Sequence, residues 1–302
     1  MKTIVVVVLA FNTALRLFAI DSEHEAYGKD TLNWYLLAPV AAAGTGVFVY
    51  SQLKQSTVYW GDRTGFYWNF NDDWRYAHGG DKFGHAYFAN VLTILTRESL
   101  INSGMNQRKA AWWGFAVSMI HQTAIEVQDG FSTGKDGAFV PYLGFSWGDF
   151  TANTLGAAFP LAQEYSPFLR NFRYKFSINP SAKFRTGNFY SSVTHDYESK
   201  YHWLSINVHD LLPASAQKYW TPFLNLALGH SVKDIVTAPG QYAYLNNGSP
   251  YHELWLSLDY NFEALPGTSA WWVSLKRFLN VYKLPAPCVR LLPDVVWYGF
   301  RW

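Results

Sequence analysis

The apolar residues of this chain change their period once, near Arg170, and that single change constrains the fold more than any other feature. Before it, helical spacing runs through about Lys82 to Ile101, Arg108 to Val127 and Ser146 to Ala162, preceded by an uncharged run from Leu32 to Leu53 rich in Ala and Gly. Between Ser56 and Gly80 no helical period is sustained, and Trp60-Gly61-Asp62, Asn71-Asp72-Asp73-Trp74 and Gly79-Gly80 read as an ordered surface or interfacial loop. Pro160 and Pro167 are expected to close the helical part.

Beyond Arg170 the pattern alternates: Phe172, Tyr174, Phe176 and Ile178; then His202, Leu204, Ile206 and Val208; then Leu254, Leu256, Leu258, Tyr260 and Phe262. Each run is a half-buried antiparallel strand. Leu211 to Trp220 and Ala270 to Lys283 read as helices, the second stopped by Pro285 and Pro287, and Val296, Tyr298, Phe300 and Trp302 share one face of a last strand. The fold class is therefore α+β: an N-terminal antiparallel helical bundle of about four helices, then a C-terminal antiparallel β-rich region with two helices. The expected divisions are a signal peptide at 1–20, a helical bundle domain with a polar cluster at 21–168, and a β-rich domain at 169–302.

The start, Met1-Lys2-Thr3 followed by apolar Ile4 to Ala19, has the form of a secretory signal, cut near Ala19 or Asp21 or else retained as an anchor, which implies export. The sole cysteine, Cys288, rules out an internal disulfide and a lipid-modified cysteine after the signal. Lys and Arg total 24 against 22 Asp and Glu, which argues against a nucleic-acid footprint. Aromatic residues make up 19%, a share that suits a membrane interface as well as an aromatic soluble core. The Leu32 to Leu53 run is long enough to cross a bilayer, or equally to be a buried helix of a soluble bundle.

Function is best read from where the polar residues fall. Asp81, Lys82 and His85 open one helix, Gln122, Glu126 and Asp129 close the next, and Ser146, Asp149 and Asn153 open the one after. Short connections make sequential helices antiparallel, so these three ends coincide. Asp81 with His85, Gln122 with Glu126, and Asp149 with Asn153 are each four apart and share a helix face. A single cluster of carboxylates, one imidazole and two amides is expected. Asp81, His85, Glu126 and Asp149 could hold a divalent metal ion such as Zn, Mn or Mg, or Glu126, Asp149 and His85 could run acid/base chemistry with one pKa raised by crowding. The third reading is a structural lock, with Ser146-x-x-Asp149 as a helix cap and buried ion pairs tying helices together. His121 faces away from Glu126 and reads as a core histidine; His195, His209 and His230 fall in loops and strand ends. No P-loop, G-x-G-x-x-G or G-x-S-x-G is present, so nucleotide and serine-hydrolase chemistry have no support.

Asp81-Lys82-Phe83-Gly84-His85, Glu126-Val127-Gln128-Asp129 and Ser146-Trp147-Gly148-Asp149-Phe150 match, in order and spacing, the D-K-x-x-H, E-x-x-D and S-W-x-D-F elements of the YfiM-like family, domain of unknown function 2279. Over roughly residues 78 to 160 the chain resembles that family, and its longer architecture, with Leu284-Pro285-Ala286-Pro287, is similar to members from Bacteroidota-type bacteria. A looser similarity runs to VanZ-like membrane proteins through the shared D-K-x-x-H opening and Asp149, Asn153 and Gly156. The family implies an envelope location and a compact helical core, and no established reaction. Short members are described as predicted lipoproteins; this chain lacks their cysteine and adds a β-rich half.

The leading expectation is thus a membrane-associated envelope protein of structural or accessory class with a polar ligand or metal site at one end of a bundle, its partner a membrane lipid or an envelope protein complex. One rival is a metal-assisted hydrolase or transferase acting on a lipid or cell-wall head group. Another is a small outer-membrane β-barrel with an added helical domain.

Overall fold

The computed structural model describes residues 32–70, 73–134, 143–187, 196–235 and 249–301, so the expected signal at 1–20 and His195 lie outside the described residues. Four long helices come first: α1 (Trp34–Val58), α2 (Gly80–Asn102), α3 (Gln107–Gly130) and α4 (Trp147–Tyr165). α1, α3 and α4 begin where the sequence supplies a partner for the free N–H groups of a first turn. Asn33 accepts from Tyr35 N, Asn106 from Arg108 N and Lys109 N, and Ser146 from Asp149 N at 2.9 Å, while Asp81 and Asp149 sit in first turns with their charge towards the positive end of the helix dipole.

α2 is the central element, packed on α3, on α4 and on the sheet. Small residues let it: a Cβ on Gly114 would lie 2.6 Å from Thr93 O, and one on Gly156 would lie 2.0 Å from Ala86 O. α4 runs through Pro160 to Tyr165, a little past the expected end at Ala162. The proline ring crowds the carbonyl four residues earlier, which here belongs to Gly156, and a glycine can relax away from that crowding. Pro160 is buried in the bundle, so packing outweighs the lost N–H.

Between α1 and α2 the chain is held by short ladders. β1 (Trp60–Arg63) pairs antiparallel with β3 (Ser132–Gly134), and β2 (Trp68–Asn69) pairs parallel with β4 (Phe145–Ser146). Successive left-handed residues, Ala77, His78 and Gly79, then turn the chain sharply into α2. The expected loop is therefore ordered by ladders to the α3–α4 connection.

The second half is a six-stranded antiparallel sheet in the order β10-β9-β8-β7-β6-β5, comprising β5 (Phe172–Ile178), β6 (Lys200–Ile206), β7 (Leu224–Lys233), β8 (Tyr251–Tyr260), β9 (Ala286–Leu292) and β10 (Val296–Arg301). The α+β class holds, helices first. β7 and β9 escape the sequence reading, β9 because its prolines and arginine blur the alternation. The helix expected over Leu211 to Trp220 is two short turns, Val208–Leu211 and Ala214–Gln217, because Pro213 interrupts it. α5 (Ala270–Leu279) fills the other helical position.

The sheet curls strongly. Arg301 at its far edge donates to Tyr201 OH of β6 at 3.0 Å, and the edge of β5 is covered by main-chain bonds between Phe176 and the Val281–Lys283 segment. The face inside the curl carries Trp203, Trp255 and Cys288 with the buried Lys175–Asp259 ion pair at 2.7 Å. The opposite face carries Leu204, Leu228, Leu254 and Leu256, all exposed except where α2 lies on it.

Candidate functional site

The three helix ends do meet. Lys82 is buried at the centre, its Nζ 2.7 Å from Asp149 Oδ1, 2.9 Å from Asp73 Oδ1, 3.6 Å from Asp81 Oδ2 and 3.4 Å from Ser146 Oγ. His85, one turn along α2, points its Nε2 at the same two oxygens, 3.7 Å from Asp81 Oδ2 and 3.7 Å from Asp149 Oδ1. Its other nitrogen, Nδ1, is 3.3 Å from Asn153 Oδ1 and 3.6 Å from Glu126 Oε1, while Asn153 Nδ2 donates to Glu126 Oε1 at 3.5 Å. Ser146 N–H donates to Glu126 Oε2 at 3.3 Å.

Asp129 sits at the margin, accepting from the Trp60 indole N–H, and Gln122 is buried one turn before Glu126. Three members come from outside the helices and were not singled out from sequence. Asp73 accepts from Ser146 Oγ and from Gly148 N at 2.7 Å; Tyr197, from the β-rich half, donates to Asp81 Oδ1 at 2.8 Å; Trp60 covers Asp129. Asp73 stands in a polar run where nothing distinguishes it from Asp72, and Tyr197 is reached only by long-range folding.

Electrostatics sort the titratable groups. Burial alone pulls the Lys82 ammonium down, but Asp81 and Asp149 outweigh it and raise its pKa. His85 is likewise raised, burial being overcome by Asp149 and Asp81. Burial pushes the Asp81 carboxyl up, yet His85 and Lys82 hold it below the usual range. Burial raises Asp149 against the pull of His85 and Lys82. Glu126 is pushed well up by burial, with Asp149 and Asp129 adding to it, and burial carries Asp129 to about 7 against the opposing Trp60 N–H. The Lys82 ammonium and a His85 imidazole inclined towards its charged form thus face the aspartates, with Glu126 and Asp129 inclined to keep their protons.

This arrangement can do three kinds of chemistry. Its ion pairs lock the ends of α2 and α4 together. Its Asp129 carboxyl, carried to about 7, can give up or take a proton near neutral pH. Its Asp81, His85 and Asp149 ligand atoms, all within 4.8 Å of one another, are close enough to share one cation, and Glu126 and Asn153 would then orient the imidazole from behind. The His85 side chain is 23% exposed, so the cluster is reachable from outside.

The remaining histidines have other work. His121 Nε2 is 3.0 Å from Ser51 Oγ and joins α3 to α1, as a core histidine does. His230 stacks on Phe83, with ring centroids 4.1 Å apart, and lies 2.8 Å from His252 Nδ1; burial holds it down to about 4, a neutral imidazole cementing α2 to the sheet.

Residues 68–163 match a family model described as "Predicted periplasmic lipoprotein (DUF2279)". That stretch carries all three helix ends of the cluster, together with Asp73, and the resemblance read from the three motifs is the one found. The protein is thus similar over its bundle to a cell-envelope family of unknown function, which supports an envelope location. No curated protein and no solved structure matches the chain.

Proposed function

We propose that this is an accessory envelope protein whose helical bundle sits in a bilayer, with the Lys82-centred cluster forming a ligand-accepting chamber at the membrane–water boundary. The observation that carries the reading is an inverted distribution of polarity. Inside the bundle lie Asn90, Thr93, Ser118, Gln122 and small residues; outside lie Phe88, Leu95, Trp113, Val117, Ile120 and Leu155, with Ile120 67% and Leu155 66% exposed. A soluble bundle has the opposite arrangement, whereas helices in lipid pack through small and polar residues.

The charges agree. Residues 86–96, 110–125 and 150–163 contain no Asp, Glu, Lys or Arg, and α1 is apolar over Trp34–Thr57 and unburied. These are the segments assigned to hydrocarbon; the charged chamber residues Asp73, Asp81, Lys82, His85, Glu126, Asp129 and Asp149 lie beyond their ends. Exposed aromatic rings gather at both ends, Trp34, Tyr35, Trp112, Trp113 and Tyr165 at one and Trp68, Phe70, Trp74 and Trp147 at the chamber end, as amphipathic rings do at interfaces. Washing membranes of expressing cells with alkaline carbonate tests this: the tagged chain is expected to stay in the pellet, and its release into the wash would refute a bilayer seat.

A divalent cation is the second reading, favoured by His85 Nε2 facing two carboxylate oxygens while Asn153 fixes the other nitrogen. Against it stands Lys82, whose ammonium already neutralises the same two oxygens. Elemental analysis of purified protein decides: metal that disappears in His85→Ala and Glu126→Ala supports the site, and metal-free folded protein assigns the cluster to ion pairing alone.

A further inference from the structure

At the other end of the bundle, about 24 Å along α2 from Asp81 at 1.5 Å per residue, a cavity of about 240 Å³ opens between α2, α4, β5 and α5. Four arginines line it, Arg97, Arg170, Arg173 and Arg277, and three carboxylates answer them. Arg97 pairs with Glu98 and Glu164, Arg277 with Glu98 at 2.5 Å, and Arg173 with Glu263 at 3.1 Å. The guanidinium groups exceed the carboxylates, so the lining is complementary to an anion.

Two polar groups in this wall have no partner. Asn90 is 1% exposed, yet neither its Nδ2 nor its Oδ1 is hydrogen-bonded, and Arg97 Nε is buried without an acceptor. A buried amide left unsatisfied is destabilising, so one in the wall of a cavity marks a place where something polar binds. The unmet needs are an acceptor for Arg97 Nε, an acceptor for Asn90 Nδ2 and a donor for Asn90 Oδ1.

We infer that this cavity binds a phosphate-type anion, whose unprotonated oxygens accept from Arg97 and Asn90 and whose P–OH donates to Asn90 Oδ1. Planar guanidinium forks at Arg173 and Arg277 suit phosphate oxygens at the mouth. The same chemistry is offered by free phosphate and by the phosphate of a lipid head group, and the inference does not depend on the bilayer seat.

The test uses the full chain, purified in a phosphate-free detergent. Inorganic phosphate is titrated by calorimetry, and in parallel the protein is given micelles doped with phosphatidic acid or with diacylglycerol, with the lipid retained by the repurified protein read by thin-layer chromatography. Binding of inorganic phosphate supports a free-anion site; binding of phosphatidic acid alone, with none of diacylglycerol, supports the lipid head group. In either case Asn90→Leu, which removes the amide at similar volume, is expected to weaken binding about tenfold with the circular dichroism unchanged. Should Asn90→Leu not fold, Arg277→Gln, whose side chain is 35% exposed, is the deciding variant and is expected to weaken binding likewise. Absence of binding to both phosphate and phosphatidic acid, or folded variants that bind like the parent, would overturn the inference and leave the cavity to water.

Discussion

Lys82 is the residue on which the chamber depends. Its ammonium touches carboxylates from the loop before α2, from α2 itself and from α4. Lys82→Met removes the positive charge but keeps most of the stem, so Asp73, Asp81 and Asp149 are left facing one another. The expected loss is about 3–5 kcal/mol, the usual result of breaking a buried pair from one side, read as a fall in the thermal midpoint. Asp129 makes the opposite prediction. Its carboxyl keeps its proton to about pH 7 in the fold, whereas an unfolded Asp ionises near 3.8. The folded state therefore binds more protons between those values, and this group's contribution to stability is present below about 4 and lost as pH rises towards 7. Asp129→Asn keeps an acceptor for the Trp60 N–H and cannot ionise; the variant is expected to melt higher than the parent at pH 8, and the gap is expected to close on acidification to pH 4.

At the scale of elements, the close approach of α2 and α4 is the most demanding contact. Gly156→Ala would place a methyl carbon 2.0 Å from Ala86 O, so the helices must separate and the chamber with them. Gly84→Ala meets nothing within 4 Å, and replaces a poor helix former with the best, which stabilises by up to about 1 kcal/mol. Thermal melts of the two variants should move in opposite directions; equal shifts would show that the interface has more room than the backbone indicates. Helices of this kind were legible because capping residues and a sustained 3.6 period mark them from within. The meeting of the helix ends carrying Asp81, Glu126 and Asp149 followed from alternating helix directions, set by a short turn between α2 and α3 and a longer connection between α3 and α4. What stayed hidden depends on distant sequence: Asp73 reaches the chamber beside the β2–β4 pairing, and Tyr197 reaches it from the β-rich half.

For the whole molecule, polarity runs from the inside out in both halves. The curled sheet hides Lys175, Asp259 and Glu253 and shows Leu254, Leu256, Trp297 and Phe300, just as the bundle hides its amides and shows Ile120 and Leu155. On a water-facing surface the double change Ile120→Lys and Leu155→Lys would be neutral or would aid solubility. Where lipid covers those positions each lysine costs up to about 2.5–3.5 kcal/mol, and the variant is expected to lose membrane retention in fractionation; undiminished retention would place these side chains in water. The hydrogen bond from Tyr197 to Asp81 carries one last consequence. A fragment confined to residues 68–163 would lack the tyrosine, and Phe83 would lose the imidazoles stacked on it. The β-rich half therefore supplies part of the surroundings of Asp81 and Phe83, and removing it leaves both without those contacts.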